Sequence, residues 1–522
     1  MKRFVMAIFA AVTLLPRVTL AEPPIEAHHH VVLVVWDGMR PDFVSETGTP
    51  RLWAMAKDGV RFAHHHSVYP TSTEVNGAVL ATGVYPNRNS LLANHEYRPQ
   101  IDAHRIIDTG EPDSFHRGDA ISAGHYLAVP TIAESARAAG LRTAVAGSKS
   151  VAYFHDRKAE WASAITPKTD FTIFAAAPMP SPIRDETQRL FGRFLNAPDD
   201  PSSARNAYVT KTLTDVLWRS QVADYSVLWL SEPDRAQHDT APGADVALAG
   251  IRNSDTCLGM VLDALTARKM REDTDVLVVS DHGFSTVKRT IDLPAELNAA
   301  GFTAMTERSG DPKPGEIMVA TNSGTVLFYV AEHDAAVAAR LIMWLQHSDI
   351  AGVLFAREKY EGTFPLERAH LETAFAPDVV MSCRWDGEKS SNGTAGRIVA
   401  AAIGIDGKGS HHTLSPFDVH NIFFAAGPDF RAGATDDLPT GNIDLAATIF
   451  GILGLSSADP LDGRVVTEAM THRDSIAIEK VESDVVAASR IFPDGEWRQT
   501  LHLSRVGKSV YIDDGDGAFS RK

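Results

Sequence analysis

Cysteine is nearly absent from this chain of 522 residues, in which only Cys257 and Cys383 occur. The first lies in a predicted helix, and the second ends the predicted strand DVVMSC, far along the chain. A disulfide framework is therefore excluded, because it needs several cysteines. Two interpretations remain open: a single disulfide in an exported protein, or two buried thiols.

Positive charge is also in deficit. The chain has 50 Lys and Arg against 66 Asp and Glu, and its formal net charge is -16. This balance argues against a nucleic-acid surface or an anionic membrane surface as the partner. A small anionic substrate remains possible, provided that the site holds metal cations.

Long hydrophobic runs are missing as well. An apolar stretch at residues 4–15 falls short of the roughly 20 residues of a membrane-spanning helix, and no later segment approaches that length. Lys2 and Arg3 precede this stretch and Ala21 follows it, which is the pattern of a secretory signal cleaved after Ala21. We expect residues 1–21 to be a signal peptide and the mature protein to be periplasmic or secreted, with no stable membrane span. The alternative is an uncleaved anchor or a lipoprotein-like variant.

A recurring pattern runs along the chain, in which a short apolar run ends abruptly in acidic or polar residues and a helical stretch follows. Near-continuous Val, Ile and Leu are typical of parallel strands buried on both faces. A helix predicted for residues 245–269 connects two such strands into a β-α-β unit. The sequence therefore predicts an α/β fold with a mostly parallel sheet. The pattern occurs at residues 31–42, 225–239, 275–285 and 421–430.

The rest of the chain is predicted to fit around this sheet. Residues 22–480 are predicted to form one domain, in which about 150–220 and about 285–400 are insertions rich in Pro, Gly and charge. Residues 481–522 contain an alternating segment with a turn at Gly507, which predicts a C-terminal β-hairpin that extends the same domain. Further predicted elements are strands at 142–147 and 325–331 and helices at 333–347 and 443–454.

The predicted strand ends and loops bring carboxylates and imidazoles together. In an open parallel sheet, ligands collect beyond the carboxyl ends of the strands. Three Asp and three His suit two zinc-like ions, and two ions about 4 Å apart can clamp a phosphoryl group. A lone Asp at a strand end is usually a cap or turn residue, so the prediction rests on the whole set. The candidates are Asp37, Asp234, His238, Asp281, His282 and His411.

Three hydroxyls stand in a row in VYPTSTEVNGAVLATGVYP, residues 68–86, just before a predicted helix. A helix N-terminus stabilises anionic oxygens and phosphoryl groups, and a metal ion can activate a hydroxyl as a nucleophile. From the residues alone, Thr71, Ser72 and Thr73 either cap the helix or include a nucleophile.

These segments together resemble the alkaline-phosphatase superfamily, specifically its type I phosphodiesterase/nucleotide pyrophosphatase branch. The similar segments are VVWDGMRPD, YPTSTEVNGAVLATGVYP, SEPDRAQHD, VVSDHGF and GSHHTL. They cover roughly residues 30–455 in the order that the family has. The resemblance implies an alkaline-phosphatase-like fold, with helices on both faces of the central sheet and insertions around the active site, and a site with two divalent ions, preferably Zn²⁺.

The resemblance also implies roles for the candidate residues. It assigns one ion to Asp234, His238 and His411, and a second ion to Asp37, Asp281, His282 and the nucleophile. His411 is preferred to its neighbour His412 because it directly follows the Gly-x pair of the last block. The nucleophile is the second Thr of the family's PT-x-T motif, which is Thr73 in this chain and would form a phospho-threonine intermediate.

Other residues are implied as substrate contacts. Asn94 corresponds to the family's downstream Asn, and its amide is predicted to donate to a phosphate oxygen. Glu74 stands where the phosphodiesterases carry a base-stacking aromatic, and its carboxylate is expected to repel extra negative charge, which puts nucleotide specificity in question. Lys149 and Arg157 are predicted to reach the site, as basic residues of related monoesterases do. The alternative for Lys149 is a solvated side chain.

The predicted activity is the hydrolysis of phosphodiester or pyrophosphate bonds in a small phosphate ester. Phosphomonoesters or phosphonates are the alternative within the superfamily, and a secreted binding protein without turnover is the alternative outside it. Sulfatases need a C/S-x-P-x-R motif, which the nucleophile segment lacks. Cofactor-independent phosphoglycerate mutases share metal-binding segments with this family, but they are cytoplasmic and use Ser. The predicted signal peptide therefore argues against a mutase.

Overall fold

The computed structural model describes residues 30–157, 171–174, 181–195, 200–471 and 480–522. The predicted signal peptide lies outside these residues. Among the helices of the described ranges, none combines the length and the apolar character that a membrane crossing requires.

An eight-stranded sheet organises the fold. Its strand Val31–Trp36 pairs parallel with Tyr225–Leu230 on one side and with Asp275–Val279 on the other. Every residue of Val31–Trp36 is buried, as expected for a parallel strand with helices over both faces. In spatial order the strands are Ala434–Gly441, Val60–His66, Phe423–Ala426, Asp275–Val279, Val31–Trp36, Tyr225–Leu230, Thr143–Gly147 and Phe171–Phe174.

Helices cover both faces of this sheet and form two apolar layers with it. Leu33 lies in the layer that contains residues of the helices Thr73–Thr82 and Asn442–Ile452. Val34 lies in the opposite layer, with residues of the helix Asp245–Ala267. The predicted α/β architecture is confirmed. The other α-helices of the described residues are Pro50–Lys57, Pro86–Asn89, Pro112–Ser122, Ile132–Ala138, Ser181–Phe191, Ser202–Lys211, Asp234–Asp239, Leu293–Ala299, Ala335–His347 and Pro416–Val419.

One predicted strand runs in the opposite direction. The segment 421–430 was grouped with the parallel strands, but its strand Phe423–Ala426 pairs antiparallel with both neighbours. The chain enters this strand from the loop after His411, which already lies at the carboxyl edge of the parallel strands. The strand must therefore run back across the sheet.

Smaller sheets surround the central one. A six-stranded sheet, mostly antiparallel, packs on the helix Ala335–His347. Its strands in spatial order are Thr303–Met305, Glu316–Asn322, Thr325–Val330, Val379–Cys383, Ala351–Ala356 and Phe364–Pro365. A four-stranded sheet contains Trp385–Lys389, Ala395–Ala400, Ser285–Thr290 and Gly409–Ser410, and a two-stranded one pairs His95–Glu96 with Ile107–Asp108.

The C-terminal residues form a separate three-stranded antiparallel sheet. Gly495–Val506 and Ser509–Arg521 pair across the turn at Gly507, where the sequence predicts a hairpin. The strand Val481–Phe492 adds to the outer side of Gly495–Val506. This sheet packs on the six-stranded sheet, so its central strand is partly buried.

The two cysteines are unpaired. Cys257 lies in a layer of the central sheet, whereas Cys383 lies in the core of the six-stranded sheet. Because they belong to different cores, the disulfide interpretation is wrong and the interpretation as two buried thiols is confirmed.

Candidate active site

The site lies at the carboxyl ends of three adjacent parallel strands. Asp37 and Asp281 follow two of these strands, and Asp234 follows the third. The backbone ties them together: the Gly38 N–H donates to Asp281 Oδ1 at 3.0 Å, and the Asp234 N–H donates to the Asp37 carbonyl at 2.9 Å. The parallel register therefore places three buried carboxylates side by side.

A first group of side chains consists of Asp234, His238 and His411, whose ligand atoms all lie within 4.8 Å of one another. The Nε2 atoms of His238 and His411 lie 3.3 and 3.7 Å from Asp234 Oδ1. The helix Asp234–Asp239 places Asp234 and His238 on one face. Asp234 Oδ1 is buried and has no hydrogen-bond partner among the described residues, so it is free to bind a cation.

A second group consists of Asp37, Asp234 and His282, again within 4.8 Å. His282 Nε2 lies 3.2 Å from Thr73 Oγ1 and 3.3 Å from Asp281 Oδ2. Asp281 Oδ2 is a second buried oxygen without a hydrogen-bond partner in the described part of the chain. The structure therefore brings all six predicted ligands and Thr73 together, with Asp234 between the two groups.

Backbone carbonyls orient the three imidazoles. In each ring Nδ1 contacts a carbonyl oxygen, so we assign Nδ1 as the protonated nitrogen and leave the Nε2 lone pair free to bind a metal. The contacts are His238 to Gly409 at 3.2 Å, His282 to Gly283 at 2.8 Å and His411 to Thr71 at 2.7 Å.

His411 belongs to the first group, and its neighbour His412 does not. The His412 ring stacks on that of His411 at 3.7 Å, and among the described residues neither of its nitrogens has a hydrogen-bond partner. The geometry therefore agrees with the preference for His411.

The electrostatics of the site favour neutral imidazoles and call for added positive charge. Burial lowers the pKa of His282 and of His411, which keeps both rings neutral and able to act as ligands. Burial, followed by the charges of Asp234 and Asp281, raises the pKa of Asp37 well above its ordinary value. Crowded carboxylates of this kind are stabilised by a cation.

Lys149 supplies one positive charge within the site. Its Nζ donates to Asp37 Oδ1 at 3.1 Å, to Thr73 Oγ1 at 3.1 Å and to Asp234 Oδ2 at 2.9 Å. Burial alone would raise the pKa of Asp234, but Lys149 and His238 outweigh it and hold that pKa well below its usual range. Lys149 follows the strand Thr143–Gly147, which ends at the same edge of the sheet.

Arg157 lies elsewhere. Its guanidinium donates to Glu134 Oε2 at 2.7 Å and to backbone carbonyls near residue 128, so it does not reach the site. The 3-10 helix Ser150–His155 between Lys149 and Arg157 separates the two cations. The expectation for Arg157 was wrong.

The three consecutive hydroxyls have different surroundings. Thr71 Oγ1 donates to the Thr413 carbonyl at 3.0 Å, and the Ser72 hydroxyl forms no cap bond to the helix. Thr73 is the first residue of the helix Thr73–Thr82, and its hydroxyl contacts His282 and Lys149. Only Thr73 therefore directs its oxygen into the site.

Asn94 and Glu74 adjoin the nucleophile position. Asn94 Oδ1 accepts the Glu74 N–H at 3.1 Å, which leaves the Asn94 amide nitrogen to donate. Burial raises the pKa of Glu74 to about 8, so its carboxyl group is mainly protonated at neutral pH. The side chain packs against Gly110, where an added Cβ would lie 2.6 Å from Glu74 Oε1. The predicted repulsion of negative charge stays a prediction, and burial of the Glu74 carboxyl group opposes it by favouring the protonated form.

Two supporting residues were not predicted from the sequence. The Trp229 indole donates to Asp37 Oδ2 at 2.8 Å, and Asn442 Nδ2 donates to the Asp281 carbonyl at 2.7 Å. Trp229 lies in an apolar strand, where the pattern indicates only a core residue. Asn442 begins a helix, where a polar residue suggests only a cap.

The model of one protein family, described as type I phosphodiesterase / nucleotide pyrophosphatase, matches residues 31–392. A venom phosphodiesterase of Naja atra is 21% identical over 259 residues, which cover 49% of this chain and 26% of that protein. Ectonucleotide pyrophosphatase/phosphodiesterase family member 3 of Rattus norvegicus is 20% identical over 255 residues, 48% of this chain and 24% of that protein. The bis(5'-adenosyl)-triphosphatase ENPP4 of Homo sapiens is 22% identical over 256 residues, 49% of this chain and 47% of that protein.

Among solved structures, murine ectonucleotide pyrophosphatase / phosphodiesterase 5 superposes with a TM-score of 0.60 at 17% identity, over 85% of this chain and 100% of that one. The alkaline-phosphatase-like fold is thereby confirmed. The chain spans between 24% and 47% of the length of the three curated relatives. Because the family match covers more than half of the sequence and includes the strands, the helix and most of the residues that build the site, the chain belongs to the type I phosphodiesterase/nucleotide pyrophosphatase family.

Proposed function

We propose that this protein is an exported, metal-dependent phosphoesterase that hydrolyses phosphodiester or pyrophosphate bonds through a phospho-threonine intermediate. The observation that supports it best is the position of Thr73 Oγ1, at a helix N-terminus and 3.2 Å from His282 Nε2. The matched relatives are named phosphodiesterases, a nucleotide pyrophosphatase and a triphosphatase, all of which cleave phosphate esters or anhydrides.

The donor set fits two divalent ions. Carboxylate oxygens and imidazole nitrogens are the ligands that Zn²⁺ prefers among the O and N donors. Two buried carboxylate oxygens, on Asp234 and Asp281, have no hydrogen-bond partner among the described residues and are available to bind cations. Asp234, His238 and His411 would hold one ion, and Asp37, Asp281, His282 and Thr73 the other. Such ions supply Lewis-acid polarisation of the phosphoryl group and lower the pKa of a hydroxyl.

In the first step, the residues of the chain have three roles: nucleophile, stabilisation of the alkoxide, and hydrogen bonding to the phosphoryl oxygens. Thr73 Oγ1 forms a bond to phosphorus as the bond from phosphorus to the ester oxygen of the leaving group breaks, and the proton that Thr73 loses passes through solvent to that departing oxygen. Lys149 Nζ, 3.1 Å from Thr73 Oγ1, stabilises the developing alkoxide. The free N–H groups at the start of the helix and the Asn94 amide donate to the phosphoryl oxygens.

The second step returns the enzyme to its starting state. Water attacks phosphorus, the bond from phosphorus to Thr73 Oγ1 breaks, and Thr73 recovers a proton as phosphate or a phosphomonoester leaves. The neutral His282 and His411 rings keep their orientation through both steps, since carbonyl oxygens hold their Nδ1 atoms.

The descriptions of three related proteins agree with this proposal. A structure of the murine family member is described as an inactive threonine-to-alanine variant in complex with AMP, which supports a threonine in the reaction. The names venom phosphodiesterase and ectonucleotide pyrophosphatase agree with export of the present chain.

A kinetic comparison tests the proposal. We expect the zinc-loaded protein to hydrolyse bis-p-nitrophenyl phosphate faster than p-nitrophenyl phosphate or an aryl phosphonate, and a chelator to abolish the rate. Thr73→Ala should lose on the order of a thousand-fold or more in kcat, while Thr71→Ala serves as the matched control. No turnover of any of the three substrates would favour a binding protein, and full activity of Thr73→Ala would exclude this nucleophile.

A preference for phosphomonoesters is the second candidate, and the position of Lys149 favours it. An ammonium group beside the nucleophile suits the doubly charged phosphate of a monoester. Lys149→Met should then reduce kcat/KM for p-nitrophenyl phosphate far more than for the diester, whereas Lys288→Met, at an exposed lysine paired with Asp386, should change neither. An equal loss for both substrates would assign Lys149 to the common step.

A further inference from the structure

A cavity of about 310 Å³ lies behind the nucleophile segment and contains none of the proposed metal ligands. Its walls come from residues 66–69, 365–370 and 441–443 and from the C-terminal strands, residues 503–512. The C-terminal strands lie outside the residues that the family model matches, 31–392. The C-terminal sheet therefore provides one wall of the cavity, and residues within the family match provide others.

The walls of the cavity combine apolar side chains with charged ones. Tyr85, Ile443 and Val510 contribute apolar surface, and Tyr85 stacks on His370 with ring centroids 3.8 Å apart and planes inclined by 7°. A flat aromatic platform of this kind suits a planar apolar group. The volume lies at the lower end of the roughly 300–1,000 Å³ typical of small-molecule sites.

Two arginines line the same cavity. Arg368 is exposed and Arg505 is half-buried. Among the described residues, neither forms an ion pair within 4.0 Å, although the chain as a whole has an excess of acidic residues. A guanidinium beside an apolar wall binds a carboxylate, sulfonate or phosphate by charge-assisted hydrogen bonds.

We propose that this cavity binds a small amphipathic anion, consisting of a planar apolar body and one anionic group, with the body on the Tyr85 platform and the anion at Arg368 and Arg505. The volume excludes a folded partner, and the two guanidinium groups outnumber the single lining carboxylate, Glu367, so they select an anion rather than a neutral or cationic ligand. The occupant is therefore a free small molecule.

Hydrogen bonds connect this cavity to the candidate active site. Val68, which lines the cavity, donates its N–H to Asn76 Oδ1 at 2.8 Å, and Asn76 Nδ2 donates to the Ser72 carbonyl at 3.1 Å. In the neighbouring wall, where Gly441 pairs with His66, Asn442 lies between two lining residues and donates to the Asp281 carbonyl at 2.7 Å. An anion that shifts either wall therefore changes the position of the nucleophile helix or of a proposed ligand, which makes the cavity an effector site. The effector role, unlike the binding of the anion, rests on the proposed function.

Fluorescence titration with 8-anilinonaphthalene-1-sulfonate tests the binding site on the full-length protein. We expect one saturable site, with the affinity weakened about ten-fold in Arg368→Ala and in Arg505→Ala. Arg498→Ala removes the same charge from the same strand as Arg505, at an exposed residue outside the cavity, and should leave the affinity unchanged. An affinity that is equal in all four proteins, or no saturable binding, would overturn the proposal.

The same probe tests the coupling. At saturation it should change kcat or KM for bis-p-nitrophenyl phosphate at least two-fold in the wild type, and the change should require a ten-fold higher probe concentration in Arg505→Ala. An unchanged rate at full occupancy would overturn the effector role. Because binding is measured by fluorescence, a protein without turnover would still report on the cavity, so the two proposals fail separately.

Discussion

At the scale of single residues, the geometry of the site depends on side chains that donate hydrogen bonds to its carboxylates and so fix their orientation. Trp229 is buried, lies on the strand next to the one that precedes Asp37, and donates its indole N–H to Asp37 Oδ2. This contact holds the Asp37 carboxylate, both of whose oxygens lie 3.1 Å from Lys149 Nζ, in a fixed orientation. Trp229 is therefore a positioning residue.

We predict that Trp229→Phe weakens zinc binding or lowers kcat about 10–100-fold, because outer partners of metal ligands have effects of this size. Zinc affinity, measured by competition with a chromophoric chelator, is the primary readout. Trp218→Phe is the matched control, since it removes a buried indole donor to Ser226 Oγ at 3.0 Å, away from the site. Equal zinc affinity in Trp229→Phe and Trp218→Phe would contradict the positioning role.

The sequence predicted the members of the site better than their arrangement. Asp37, Asp281 and Asp234 could be grouped because parallel neighbouring strands end at one edge. Asp234 lies between the two groups, Lys149 points into the site and Arg157 points away from it. These positions depend on the direction of each side chain. Direction is set by packing between distant segments, and no local pattern encodes it.

At the scale of secondary-structure elements, the C-terminal sheet is joined to the body of the protein by a buried amide. Gln499 accepts the Leu354 N–H at 2.8 Å and donates to the Leu354 carbonyl at 3.0 Å. Gln499 is fully buried, so it completes the backbone hydrogen bonds of a strand in the six-stranded sheet. The same sheet provides one wall of the anion cavity.

We predict that Gln499→Leu lowers the free energy of unfolding by about 2–4 kcal/mol, since each buried backbone group left without a partner costs about 1–3 kcal/mol. Urea denaturation followed by far-UV circular dichroism measures this change. The exposed neighbour Arg498 provides a control, and Arg498→Ala should stay within about 0.5 kcal/mol of the wild type. A loss no larger than that of the control would show that the contact contributes nothing to stability.

Element positions were predictable where apolar patterns were strong. The runs at 31–36 and 225–230 are buried on both faces, and their composition alone indicates parallel strands. The direction of the strand Phe423–Ala426 was not predictable, because an apolar run is equally compatible with a parallel and an antiparallel strand. The strand Val481–Phe492 was missed because most of its residues are exposed, so it lacks the alternation that indicates a strand.

At the scale of the whole molecule, buried carboxyl groups contribute to the response of stability to pH. Burial, followed by the nearby Asp429, raises the pKa of Asp275 well above its ordinary value of 3.8. Burial, followed by Glu468, raises the pKa of Asp436 to about 7. The folded state holds these protons more tightly than the unfolded chain, so their contribution to stability decreases as pH rises.

We predict that the contribution of Asp275 and Asp436 to the free energy of unfolding falls between about pH 4 and about pH 7, opposite in sign to that of the buried histidines, and that Asp275→Asn removes part of this fall. The Asn amide can donate to Asp429 without a proton from solution, so the gain above pH 6 should be about 1 kcal/mol or more, at about 1.4 kcal/mol for each unit of pKa shift. Urea titrations at pH 5, 6, 7 and 8 measure the effect, with Asp484→Asn at an exposed carboxylate as the control. An identical pH dependence in wild type and Asp275→Asn would contradict this prediction.

The central claim is that Thr73 becomes covalently phosphorylated during turnover. The most direct measurement is an acid quench of the zinc-loaded enzyme during hydrolysis of bis-p-nitrophenyl phosphate, followed by peptide mass spectrometry of the segment around residues 68–86. We predict a phosphorylated or p-nitrophenyl-phosphorylated Thr73, and no modification of Thr71 or Ser72 or of the Thr73→Ala variant. Turnover at full rate with an unmodified Thr73 at every quench time, or modification at Thr71 or Ser72 instead, would contradict the account.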